Sequence, residues 1–93
     1  MNQKEISLIL DKALEKTLLE NEVKLSITED LNVLDCIDSF SIVNLLLEIE
    51  MGLEKELGKY ISIADENLFD GQSSPLLKWE EFKLHVYNLY DES

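Results

Sequence analysis

The chain has few of the residues that cross-link small folds or interrupt their helices and strands. Its 93 residues include one cysteine, Cys36, one histidine, His85, one proline and three glycines. One cysteine cannot form an internal disulfide, and one cysteine with one histidine is too few for a zinc site, so we expect no bound metal. Because proline and glycine are scarce, the composition favours helices over a turn-rich β fold.

Basic side chains are also scarce. The chain has 8 lysine and arginine residues against 20 acidic residues, which gives a net charge of −12. Nucleic-acid binding needs clustered basic side chains to neutralise phosphates, so this charge argues against it. An acidic surface instead favours partners with basic docking surfaces. The plain alternative is that acidity only keeps a small protein in solution.

Long apolar runs are absent as well. No stretch approaches membrane-spanning length, and residues 1–5 lack the apolar run of a signal peptide. We therefore expect a cytoplasmic protein that does not bind membranes. Apolar residues still make up 45% of the chain, which is enough for a folded core. The length fits one domain, residues 1–93, which we expect to be a monomer.

Apolar residues recur at helical spacing in three stretches, 4–20, 39–57 and 75–90, which predicts three main helices. Residues 21–38 lack this periodicity and predict a long loop, whose isolated apolar residues pin it onto the bundle. Residues 65–69 predict one short helical turn. The expected fold is therefore an all-α bundle with three main helices, a short third helix and a long first loop.

Candidate capping residues indicate where the second main helix begins and ends and where the last helix begins. Asp38 or Ser39 is expected to cap the second main helix, and Gly58 to end it. Ser74 followed by Pro75 predicts the start of the last helix, since proline suits the first helical turn.

The most informative stretch is 27–40, which reads Ile-Thr-Glu-Asp-Leu-Asn-Val-Leu-Asp-Cys-Ile-Asp-Ser-Phe. It resembles the attachment site of acyl and peptidyl carrier proteins, where a loop of the pattern Ile-Thr-Pro-Asp-x-Asn-Leu-Phe-Asp precedes an Asp-Ser pair and an apolar helix. Asp38 and Ser39 fall where that Asp-Ser pair falls. The resemblance extends over 27–89. The loop positions that match by identity are Ile27, Thr28, Asp30, Asn32 and Asp35.

The resemblance implies the four-helix acyl-carrier bundle and a carrier function. Ser39 would be the attachment point of a covalent 4′-phosphopantetheine arm, and Asp38 would help to hold the magnesium ion of a phosphopantetheinyl transferase. The arm would carry acyl or aminoacyl groups as thioesters between partner enzymes, which include activating ligases and synthases. A helix start suits a phosphodiester, because its unpaired N–H groups and dipole favour negative charge. The implied partner contacts are Asp35, Phe40, Val43 and Glu48.

Three positions depart from the family pattern. Cys36 replaces a common glycine, Phe40 replaces the commonest leucine, and Asn44 stands where fatty-acid carriers usually have glutamate. These departures favour a specialised carrier in polyketide, nonribosomal-peptide or surface-polymer biosynthesis over the carrier of fatty acid biosynthesis.

Other interpretations remain open from the sequence. The chain could be a helical protein-interaction module that is never modified, which would be a degenerate carrier. We do not expect an enzyme, because there is no Ser-His-Asp order and no glycine-rich phosphate loop. Cys36 is expected to be a half-buried loop residue, His85 an edge residue, and Trp79 and Phe82 core residues. The acidic side chains that could dock basic partners along the second main helix are Glu48, Glu50, Glu54 and Glu56.

Overall fold

Helices account for all the regular secondary structure in the residues that the structure describes, which are 3–63, 66–69, 72 and 74–92 of this computed structural model. The α-helices are α1 (Gln3–Glu20), α2 (Val33–Cys36), α3 (Ser39–Leu57) and α4 (Trp79–Glu92), with 3₁₀ turns at Glu66–Phe69 and Pro75–Leu77. The prediction of a small all-α bundle is confirmed. No helix in these described ranges is both long and apolar enough to cross a membrane.

The core lies where α1 packs against both α3 and α4. Each long helix buries one side at the spacing that its sequence predicts, because residues three and four apart lie on the same face. Trp79 and Phe82 are fully buried, as expected, and their rings stack with centroids 5.5 Å apart. The buried apolar residues of the three long helices are Ile6, Leu10, Leu14, Leu18, Ile42, Leu45, Leu46, Ile49, Leu53, Trp79, Phe82 and Val86.

A polar contact ties α1 to α4 at the edge of this core. The indole Nε1 of Trp79 donates a hydrogen bond to Asp11 Oδ1 at 2.8 Å. Lys83 Nζ donates to the same carboxylate oxygen at 3.2 Å and to Ser7 Oγ at 2.9 Å. The buried tryptophan therefore has a partner for its only polar atom, which lets its ring enter the core without an unsatisfied donor.

Gly52 and Gly58 serve different structural roles, close helix packing at Gly52 and helix termination at Gly58. A Cβ atom at Gly52 would lie 3.1 Å from Ile9 Cγ2, so the glycine allows α1 and α3 to approach closely. This close approach explains a mid-helix glycine, which otherwise costs about 1 kcal/mol relative to alanine. Gly58 ends α3 with φ +70° in the left-handed region, and its N–H donates to Glu54 O, which confirms the predicted C-cap.

The predicted loop 21–38 is wrong in one part, because Val33–Cys36 forms α2. The Asn32 side chain caps this helix by accepting the Leu34 N–H at 3.0 Å, and Val33 is fully buried. Four residues are too few for an apolar periodicity to indicate a helix. The expected anchoring of the loop by its apolar residues is confirmed for most of them, although Leu25 is exposed. Those that pack on the core are Val23, Ile27, Leu31, Val33, Leu34 and Ile37.

The predicted last helix, 75–90, is also corrected. Pro75–Leu77 is a separate 3₁₀ turn, which Ser74 caps by accepting the Leu76 N–H at 3.0 Å. Lys78 is extended, and the α-helix begins at Trp79. Ser74 Oγ also donates to the carbonyl oxygen of Leu68, which joins the two 3₁₀ turns.

The first loop explains why α4 begins at Trp79. The N–H groups of Trp79 and Glu80 donate to the carbonyl oxygens of Leu31 and Glu29, each at 2.9 Å. The first N–H groups of a helix have no acceptor within the helix. Here the acceptors are carbonyl oxygens of a segment some fifty residues earlier in the chain. Such a contact cannot be deduced from local sequence.

The segment after α3 contains the predicted short turn. Ile61 and Ile63 are buried, as their alternation suggests. The turn predicted at 65–69 is a 3₁₀ turn over Glu66–Phe69, and residues 64 and 65 lie outside the described residues.

Glu50 is only 4% exposed. It is therefore not available for docking, contrary to the expectation from the sequence. Its Oε2 accepts the Ile63 N–H at 2.8 Å, and its Oε1 accepts the Tyr60 hydroxyl at 3.1 Å. The hydrogen bond to Glu50 raises the pKa of Tyr60, so the phenol remains a donor. Glu50 therefore holds the segment 60–63 against α3.

Replacing Glu50 with alanine should lower the free energy of unfolding by about 1.5–3 kcal/mol, the range for hydrogen bonds to a charged group. Urea denaturation followed by circular dichroism measures this loss. The matched control is Glu56→Ala, an exposed glutamate of the same helix, which should change stability by less than about 0.5 kcal/mol. Equal losses in the two variants would contradict the role given to Glu50.

Candidate functional site

The candidate site is the first turn of α3. Asp38 lies just before the helix in extended conformation, and its Oδ1 accepts the Ser41 N–H at 2.8 Å. Its carbonyl oxygen accepts the Ile42 N–H at 3.0 Å. Of the two residues that the sequence allows as the cap, the structure therefore selects Asp38. Ser39 becomes the first residue of the helix and is exposed.

The electrostatics of the cap follow from this geometry. The Ser41 backbone N–H lowers the pKa of the Asp38 carboxyl below its ordinary value. Asp38 is solvent-exposed, so burial opposes this shift only slightly. The carboxylate is thus charged at neutral pH and lies directly beside Ser39.

α3 exposes apolar side chains in the turns that follow Ser39. We call this face the α3 stripe, which consists of Phe40, Val43, Leu47 and Met51. Phe40 is 75% exposed, more than any other large apolar residue that the structure describes. The apolar surface of α3 is divided, because α1 covers the face that contains Leu45 and Ile49 and leaves the stripe uncovered.

A groove between the last turn of α1 and the start of α3 brings some of the predicted site residues together. Asp38, Phe40 and Glu48 line it, whereas Asp35 and Val43 are exposed outside it. Lys16 Nζ lies 3.2 Å from Glu48 Oε1, so a cation of α1 partly balances this charge. The other residues of the groove are Thr17, Glu20, Asn21, Ser41, Asn44, Leu47 and Met51.

The partial burial of Cys36 and of His85 agrees with the prediction, but Cys36 is the last residue of α2 and not a loop residue. Cys36 is half-buried, and its thiol donates to Asn32 O at 3.2 Å. Burial raises the pKa of the Cys36 thiol, and the Asp35 carboxylate raises it further, so the group stays protonated near neutral pH. His85 is half-buried on α4, with its ring tilted against Phe82 at 6.5 Å between centroids.

No family model, no curated protein and no solved structure matches this chain. Any function assigned to the chain must therefore be argued from the residues around Ser39 and their geometry.

Two residues of this region were missed by sequence reasoning. Met51 follows Leu47 by four positions, and that spacing could have added it to the stripe. Asn21 lies beside α3 only because the chain folds back after α1, and nothing in the local sequence indicates this position.

The charge of Asp38 should make the start of α3 sensitive to pH. Because the folded pKa lies below the unfolded one, the cap contributes stability above the ordinary Asp range and loses it as the pH falls through the lowered value. Asp38→Asn keeps a capping oxygen but cannot titrate. The difference in urea midpoint between wild type and Asp38→Asn should therefore shrink as the pH is lowered from 7 into the acid range.

This comparison removes the effect of the other carboxyl groups, since both proteins carry them. A difference in midpoint that stays constant from neutral pH to acid pH would show that the Asp38 charge does not stabilise the helix start. Asp38→Ala provides the reference for complete loss of the cap at every pH.

Proposed function

We propose that this chain is an acyl carrier protein that holds its cargo on a 4′-phosphopantetheine arm attached to Ser39. The observation that carries the proposal is an exposed serine at the first position of α3, directly after a capping aspartate. The carrier-like loop pattern precedes this serine, and an uncovered apolar stripe follows it. In this proposal α1, α3 and α4 correspond to the three main helices of a carrier, and Glu66–Phe69 to the short third helix.

The residues present fit the proposed group. Ser39 is exposed, so a transferase can reach its hydroxyl. The first turn of a helix presents unpaired N–H groups and a positive dipole end, which favour the negative phosphodiester. Once bound, the arm would supply a terminal thiol that holds acyl groups as thioesters. Ser39 is thus an attachment point and not a catalyst.

The attachment step transfers the phosphopantetheine group of coenzyme A to Ser39. The Ser39 oxygen forms a bond to the β-phosphorus while the pyrophosphate bond breaks, which releases adenosine 3′,5′-bisphosphate. The hydroxyl proton passes to a base of the transferase. One carboxylate oxygen of Asp38 accepts the Ser41 N–H, and the other can contact the magnesium ion that the transferase brings.

The surface around Ser39 supports docking to partner enzymes with basic surfaces. The α3 stripe supplies apolar anchors, with Phe40 the most exposed of them. Asp35, Asp38 and Glu48 place negative charge around these anchors. Apolar anchors within a charged rim are the usual anatomy of a transient interface.

The cargo belongs to a specialised pathway in this proposal. Phe40 and Asn44 are both exposed on α3, so their departures from the fatty-acid pattern change the surface that a partner reads. Polyketide, nonribosomal-peptide and surface-polymer synthesis are the candidate pathways.

The alternative is an interaction module that is never modified. The α3 stripe favours it equally, because an exposed apolar face needs a partner whether or not Ser39 carries an arm. The two functions differ in whether Ser39 is required. Loss of Ser39 would leave the interaction module active in a complementation assay and inactivate the carrier.

The direct test is modification of the purified protein by a promiscuous phosphopantetheinyl transferase with coenzyme A, followed by intact-mass measurement. The wild-type chain should gain the mass of one phosphopantetheine, and Ser39→Ala should gain none. Ser26→Ala, which removes an exposed loop serine, is the matched control and should be modified like wild type. An unmodified wild-type chain, or an adduct that survives Ser39→Ala, would refute the proposal.

A further inference from the structure

A chain of hydrogen bonds joins the end of α1 to the turn that contains Ser39. Asn21 Nδ2 donates to the carbonyl oxygen of Thr17 at 2.8 Å. Asn21 Oδ1 accepts the Ser41 hydroxyl at 2.9 Å. The Ser41 N–H in turn donates to Asp38 at 2.8 Å. One asparagine therefore connects the last turn of α1 to the cap of α3.

The end of α1 holds Asn21 in a defined place. Its backbone N–H donates to the carbonyl oxygens of Thr17 and Leu18. The next residue, Glu22, has φ +57°, and the Val23 N–H returns to Leu18 O at 2.9 Å. A left-handed residue followed by such a return bond is a common way to end a helix. The amide group of Asn21 is thus attached to a fixed backbone.

An amide meets both hydrogen-bonding demands of this position. A side chain here must donate to the Thr17 carbonyl and accept from the Ser41 hydroxyl, and asparagine carries both functions on a short stem. Aspartate can only accept when it is charged, and alanine can do neither. A substitution series can therefore remove the two bonds one at a time.

Ser41 is the residue through which Asn21 acts on the site. It is 8% exposed, and both its N–H and its hydroxyl are bound, the first by Asp38 and the second by Asn21. Ser39 lies between Asp38 and Ser41 in the chain. The first turn of α3 is consequently held from two directions, by its own cap and by α1.

We propose that Asn21 is a positioning residue for Ser39, which holds the first turn of α3 so that the serine hydroxyl is presented to the transferase in one orientation. This role rests on the proposed carrier function. A misplaced nucleophile slows the chemical step more than it weakens binding, so the effect falls mainly on kcat.

The test compares three variants in the full-length protein. Asn21→Ala removes both bonds, Asn21→Asp removes only the donor to Thr17, and Ser41→Ala removes the hydroxyl at the other end. The control is Lys83→Met, which breaks a polar contact between α1 and α4 and leaves the α3 turn intact. The first measurement is amide hydrogen exchange at residues 41 and 42 before any modification, and the second is transferase kinetics.

Asn21→Ala and Ser41→Ala should both speed exchange at these amides and lower kcat for modification by roughly tenfold to a hundredfold, with a smaller change in KM. Asn21→Asp should lie between wild type and Asn21→Ala. The Asn21→Ala/Ser41→Ala double variant should be little slower than either single variant, because both remove the same interaction. Lys83→Met should keep the wild-type kcat.

An unchanged kcat in Asn21→Ala, with wild type modified normally, would overturn the positioning role and leave the carrier function intact. An equal loss of kcat in Lys83→Met would also overturn it, because the effect would then be one of general stability. A wild-type chain that is not modified at all would overturn both proposals. The exchange measurement shows independently whether the hydrogen bonds hold the turn.

Discussion

The hydrogen bond from the Ser41 N–H to Asp38 is the contact on which the site depends. The first N–H groups of a helix need acceptors, and a capping carboxylate supplies one while it fixes where the helix begins. In this chain the cap makes Ser39 the first residue of α3 and keeps it exposed. The Ser41 hydroxyl donates to Asn21, so the local cap and the packing of α1 against α3 act on one turn.

The surroundings of this turn depend on which apolar side of α3 is covered and which side is exposed. α1 covers one side of the helix closely, which the close approach at Gly52 permits. The other side of α3 keeps Phe40, Val43, Leu47 and Met51 exposed along the turns that follow the serine. Under the proposed function, this stripe and the acidic surface around it would serve transient contacts with basic partners, because charge speeds encounter and apolar anchors stabilise the complex.

Much of the fold could be predicted because it depends on local sequence. Helical spacing indicated α1 and α3 nearly to the residue, Gly58 was predicted as the end of α3, and Asp38 was one of the two residues predicted as its cap. Two failures involve contacts between distant segments: α4 begins where loop carbonyl oxygens accept its N–H groups, and Glu50 is buried by the segment 60–63. The third failure, α2, is a helix too short for an apolar periodicity to indicate. The same distinction holds at the site, where Ser39 and Asp38 belong to a local pattern, whereas Asn21 reaches Ser41 only in the folded chain.

In the proposed function, Ser39 carries a phosphopantetheine arm in the cells that produce the protein. The most direct measurement is peptide mass spectrometry of the chain isolated at its natural level from the cells that produce it. We expect the peptide that contains Ser39 to carry phosphopantetheine, free or loaded with an acyl group whose mass identifies the cargo. A Ser39 peptide that is entirely unmodified in cells actively making the protein would contradict the carrier function and favour the interaction module.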